Sequence, residues 1–210
     1  EIFGTSIAEC LQRAAEISRE GPALIHPFDD PGGLLFADGN PLGHHDCGGQ
    51  LRLPGGQGIW PAFWMLPQDF VYGGWAASGE IDIVEAVNLG EAGNNTVHGT
   101  IHYGGEWPAN VFSGGDYLVP TDATTDFHVY AIEWDPAEIR WYVDDVLYSM
   151  KNDWSSTGAA FPAPFDQHFY ILLNVAVGGA WGRAGGPIDD SIFPQRMLVD
   201  YVRVYERREP

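Results

Sequence analysis

From residue 51 onward, short runs of aromatic and β-branched residues alternate with clusters of glycine, proline and aspartate. "GIWPAFWML", "GEIDIVEAV", "NTVHGTIHY", "HVYAIEWD", "EIRWYVDDVLYSM", "FYILLNVAV" and "MLVDYVRVY" each have the length and residue types of a strand bounded by turns. Ile139, Trp141 and Val143 alternate with Arg140, Tyr142 and Asp144, which suits an antiparallel sheet packed on one face. Turns are expected at Asp135-Pro136 and at Asp144-Asp145, giving a three-strand meander. Many short strands with turn signals and no internal repeat predict an all-β sandwich.

The first 50 residues follow another pattern. "TSIAECLQRAAEISREG" reads as an amphipathic helix, capped by Thr5 or Ser6 and ended by Gly21, with Ile7, Leu11, Ala14, Ala15 and Ile17 on one side. The stretch to Gln50 reads as a Gly/Pro-rich loop with one weak strand at Leu34 to Ala37. Cys10 and Cys47 are too few for a disulfide framework. "GHHDC" (residues 43–47) resembles a zinc cluster in composition, but neighbours on a strand face opposite ways, and a solvated loop is the plainer reading.

The run "SGEIDIVEAV" sets Glu80, Asp82 and Glu85 among Ile81, Ile83 and Val84. Residues two apart share a strand face, so Glu80 and Asp82 point together while Glu85 is out of step. One extra residue in a β-bulge near Ile83-Val84 restores the register and lines all three acids on one face. Crowded carboxylates separate in pKa, and glycoside hydrolysis needs such a split pair, one ionised and one protonated. A solvated polar face and a calcium site are the other readings of three acids. Trp60, Trp64, Trp75 and Trp181 favour a sugar site, because indole rings stack on the apolar faces of pyranoses. His98 and His102 share a strand face, with structural and catalytic roles both open.

Composition narrows the choice. With 45% hydrophobic residues, 210 residues can bury the core of one domain. A net charge of −19 repels phosphate backbones and argues against nucleic acid. No apolar run approaches the roughly 20 residues of a membrane helix, and no basic and apolar leader opens the chain.

"GEIDIVE" resembles the bulged active-site signature of glycoside hydrolase family 16, in the form typical of laminarinases and other endo-β-1,3-glucanases. "LPGGQGIWPAFWML", "FHVYAIEWDPAEIRWYVDDVLY", "FYILLNVAVGGAWGR" and "VDYVRVY" are similar to it as well, so the resemblance runs over residues 51 to 206. It implies a concanavalin-like jelly roll of two antiparallel sheets with a concave substrate groove, and a secreted, monomeric enzyme acting on β-glucan. The implied roles are Glu80 as nucleophile, Glu85 as acid/base, and Asp82 as a partner that tunes Glu80. Trp60, Trp64, Trp75 and Trp181 match sugar-subsite positions, His98 a histidine near the acid/base, and Asp200 a ligand of a structural Ca2+. The retaining stereochemistry also rests on resemblance, since four strand steps put the two Cα atoms about 13 Å apart and leave the side-chain separation open.

Residues 1–50 do not match the family pattern, although both parts are expected to form one domain. One explanation is a shifted reading frame: codons for Cys47 to Gln50, read one base later, can spell Glu-Ala and most of an arginine, restoring a family-like strand before Leu51. The expected activity is endo-hydrolysis of β-1,3-glucan. The alternatives are a non-catalytic β-glucan-binding module on the same sandwich, and a hydrolase or transglycosylase acting on mixed-linkage glucan or another β-glycan.

Overall fold

A computed structural model of the chain describes residues 45–135 and 137–206. Ten strands are found among them: β1 (His45–Arg52), β2 (Ile59–Pro67), β3 (Glu80–Glu85), β4 (Thr96–Gly104), β5 (Asn110–Leu118), β6 (His128–Asp135), β7 (Glu138–Val143), β8 (Val146–Lys151), β9 (Phe169–Val177) and β10 (Leu198–Glu206). They form two five-stranded sheets, β10-β1-β6-β7-β8 and β5-β4-β3-β2-β9, antiparallel throughout. The predicted sandwich is therefore present, with the acid strand β3 at the centre of the second sheet.

Alternation explains the core. Ile139, Trp141 and Val143 of β7 are buried and meet Phe63 and Met65 of β2, Ile81 and Val84 of β3, and Val97 and Ile101 of β4 in one cluster between the sheets. The β7–β8 turn falls at Asp144-Asp145 as expected. Both residues have positive φ (48° and 65°), as a two-residue type I′ hairpin requires. His128 at the start of β6 fixes this turn from below, with its Nδ1 2.6 Å from Asp144 Oδ2.

Two strands depart from the sequence expectation. β1 begins at His45, so residues 45–50 are ladder residues paired with both β6 and β10 rather than loop. Glycine is required there: a Cβ on Gly48 would come within 2.9 Å of the Ala131 Cβ across the ladder. β5, "NVFSGGDYL", was not anticipated, because Ser113, Gly114 and Gly115 interrupt its alternation. Cys47 faces the core, and burial pushes its thiol up to about 12, which is unlike a metal thiolate. The expected helix at 5–21, the weak strand at Leu34 to Ala37 and Cys10 lie outside the described residues.

Candidate active site

The bulge sits where the acid spacing requires it. Glu80, Asp82 and Glu85 face His102, Thr100 and His98 of β4, so Ile83 and Val84 together span the single position Gly99. On the other side, Asp82 pairs with Trp64 and Glu85 with Ala62, and the register shifts at the same point. His98, Thr100 and His102 are two apart and share a face. All three acids therefore occupy the side of β3 away from the core, while Ile81, Ile83 and Val84 are buried.

A bulge leaves backbone groups without a ladder partner. Here the Asp82 carbonyl is satisfied from the opposite sheet, accepting a hydrogen bond from Trp141 Nε1 at 2.8 Å. Trp141 is fully buried and reaches β3 only because residue 99 is glycine, since a Cβ there would overlap the Trp141 ring. This strut holds the register of the acids; the sequence marked Trp141 only as part of an alternating strand and did not mark Gly99.

Two aromatic groups divide the open face. Around Glu80, Trp75 Nε1 donates to Oε2 at 2.5 Å, and His102 Nε2 lies 3.7 Å from Oε1. The His102 ring sits 5.5 Å from Trp75 and 5.8 Å from Phe112 of β5. Trp75 is held by its loop: its carbonyl accepts from Trp107 N, and the neighbouring Gly74 N donates to Glu106 Oε1. Around Glu85, Trp60 Nε1 donates to Oε1 at 3.0 Å. Trp181 packs edge-on against both Trp60 (5.2 Å) and His98 (4.9 Å), and His98 Nδ1 is 2.7 Å from Asp116 Oδ1. Trp181 lies in the short helical turn Gly179–Gly182, anchored by Gln57 Nε2, which donates to the Gly182 and Gly186 carbonyls.

Thus Trp60, Trp75, His98, His102 and Trp181 converge on the two glutamates, and Trp64 shares the face, with its Nε1 donating to Asn174 Oδ1. Asp200 does not join them. It is exposed on β10 of the other sheet, and among the described residues no group of three potential acidic, histidine or cysteine metal ligands includes it. It fits calcium as one carboxylate of the about 6–8 oxygens such an ion takes. Asp116, Phe112 and Asn174 were missed by sequence reasoning, the first two because β5 itself was missed.

Burial raises all three carboxyls. Glu80 is pushed up to about 8, first by desolvation and then by the Asp82 charge, against the lowering effects of His102 and the Trp75 hydrogen bond. Asp82 is raised well above the carboxylate range by complete burial and then by Glu85. Glu85 is raised by burial, while Trp60, His102 and His98 all pull it down. Asp82 is 1% exposed, and its Oδ2 has no hydrogen-bond partner. A neutral carboxyl tolerates that position better than an anion. The three titrate as a set, in which Asp82 is the most deeply buried member. Once it is neutral, the Asp82 contribution to Glu80 vanishes and Glu80 ionises at lower pH.

The family model described as glycosyl hydrolases family 16 matches residues 44–203. A glucan endo-1,3-beta-glucosidase A1 of Niallia circulans is 50% identical over 165 residues, which cover 76% of this chain and 24% of that protein. A beta-1,3-glucan-binding protein of Penaeus monodon is 40% identical over 63% of this chain and 42% of its own length. The solved laminarinase of Rhodothermus marinus superposes with a TM-score of 0.65 at 42% identity, covering 80% of this chain and 67% of that one. The chain spans only a quarter to under half of the two curated relatives. The family match begins at residue 44, so residues 44–50, expected to fall outside the family pattern, belong to it.

Proposed function

Because the chain belongs to glycosyl hydrolase family 16, we propose that it cleaves β-1,3-glucan internally with retention of configuration. The observation that carries this reading is the bulge, which aligns Glu80 and Glu85 on one face with an indole N–H on each. Glu80, ionised, attacks the anomeric carbon and forms a glycosyl-enzyme as the glycosidic bond breaks. Glu85 gives its proton to the departing oxygen, then takes one from the water that releases the sugar. The Trp75 and Trp60 donors hold the two carboxylates in place, and Asp82 carries the proton that would otherwise neutralise Glu80. Trp60, Trp64, Trp75 and Trp181 supply ring faces for the sugars.

A secreted monomer with one domain, residues 1–50 included, belongs to this proposal, as does a structural Ca2+ held partly by Asp200. An unchanged melting temperature under chelation removes the metal. A non-catalytic glucan-binding module is the second reading, supported by the name of the Penaeus relative. The paired glutamates argue against it, since binding sugar has no need of two carboxyls with shifted pKa values. Product analysis on laminarin, lichenan and agarose, with wild type beside Glu80→Gln, separates these readings. Oligosaccharides from laminarin with wild type alone support the hydrolase. Retention of laminarin without cleavage by either supports the binding module.

A further inference from the structure

Glu80, Asp82 and His102 each present one ligand atom, and these atoms lie within 4.8 Å of one another. His102 Nε2 is 3.3 Å from Asp82 Oδ2 and 3.7 Å from Glu80 Oε1. A tetrahedral zinc ion with bonds of about 2.0–2.2 Å separates neighbouring donors by about 3.3–3.6 Å, so His102 already stands near ligating distance of both carboxylates. A second observation sets this cluster apart from ordinary surface acids. Asp82 Oδ2 is buried, has no hydrogen-bond partner and faces the histidine. We propose that Glu80, Asp82 and His102 form a binding site for a borderline transition-metal ion of the Zn2+ type, with its fourth position turned to the open face.

Carboxylate ligands bind deprotonated, so the ion displaces the Asp82 proton as it enters. The donor set then selects the ion. One imidazole and two carboxylate oxygens suit zinc, whereas Ca2+ takes about 6–8 oxygens and Mg2+ demands a near-octahedral shell rich in water. The net charge of −19 concentrates cations around the molecule. His102 Nδ1 is buried without a hydrogen-bond partner. Second-shell support of that kind is worth about 10–100-fold in affinity, so binding here is weaker than at a supported structural site and reversible by chelators. The consequence for activity rests on the reading of Glu80 as nucleophile: an ion coordinated by Glu80 blocks attack and competes with the glucan.

The test is calorimetric titration of the purified chain with Zn2+, repeated with Mg2+ and Ca2+, on wild type, His102→Gln, Asp82→Asn and the control His98→Gln. Circular dichroism checks that each variant is folded. The site is supported by one zinc equivalent on wild type and His98→Gln, its loss in both His102→Gln and Asp82→Asn, and no matching heat from Mg2+ or Ca2+. Zinc binding unchanged in folded His102→Gln and Asp82→Asn, or no binding to wild type at millimolar zinc, overturns it. Inhibition of laminarin cleavage is read separately. A chain that binds zinc but cleaves nothing refutes the hydrolase and leaves the site standing, while an active chain that binds no zinc does the reverse.

Discussion

Glu80 and Glu85 stand on one face of one strand, yet their surroundings act on them differently. Beyond burial, Glu85 meets three groups that favour its charge, Trp60, His102 and His98, while its own charge opposes those of Asp82 and Glu80. Glu80 meets two opposing carboxylates, Asp82 and Glu85, as well as His102 and Trp75. Indole and histidine neighbours favour charge at both glutamates, and repulsion within the set decides which carboxyl keeps a proton. Neither glutamate can be understood alone. Asp82, buried and without a hydrogen-bond partner on Oδ2, raises Glu80 only while it carries charge.

Removing the nucleophile breaks this contrast most severely. Glu80→Ala should lower kcat on laminarin by a factor on the order of 10⁴ or more, with activated aryl glucosides failing equally, because covalent capture is needed for any leaving group. Steady-state kinetics on both substrate classes check this. Activity retained on the aryl glucoside would exchange the two roles.

Next in size is the strut beneath both residues. Trp141→Phe leaves the Asp82 carbonyl unsatisfied in the core, a loss of about 1–3 kcal/mol in stability. It should also lower kcat more than it raises KM, since both acids shift together while the aromatic walls stay. Denaturant unfolding and kinetics on the same preparation measure the two effects. A stability loss with unchanged kcat would show that the bulge keeps its register without Trp141.

Much of this arrangement could be read in the sequence, and what could not be read has physical causes. The bulge was legible because Glu85 falls one step out of the period set by Glu80 and Asp82, and the β7–β8 turn because Asp144-Asp145 interrupts an alternating run. The start of β1 was hidden by Gly48 and Gly49, which resemble loop in sequence but serve the close approach of β6 and the core. β5 was hidden likewise by its central glycines, and with it went Asp116 and Phe112. Trp141 read as one face of an alternating strand, but its bond to a carbonyl 59 positions away depends on the stacking of two sheets, which no local pattern encodes.

Asp82→Asn sharpens the contrast. If Asp82 is neutral in the working enzyme, the acid limb of kcat/KM, set by ionisation of Glu80, should stay where it is. A downward shift of that limb would show that Asp82 carries charge and raises Glu80 directly. A pH–rate profile of the variant against wild type decides it.

The smallest effect is on stability. Glu80 rises from an ordinary 4.5 to about 8 in the fold, so over that window the native state holds more protons than the unfolded chain. Stability should then fall as pH rises from about 4.5 to about 8, and Glu80→Gln should flatten that decline. Melting temperatures of both proteins across the window test this. Parallel curves would mean that Glu80 ionises as freely in the fold as in the unfolded chain.

The assignment of the two glutamates is tested most directly by azide rescue of Glu85→Ala on an activated β-glucoside. With the proton donor gone, a good leaving group still departs and the glycosyl-enzyme still forms on Glu80. Azide needs no base, so it can replace water in the second step. The expected product is the β-azide, identified by NMR. The α-azide with no β-azide would contradict the account, because the anion would then be filling the place of a missing nucleophile.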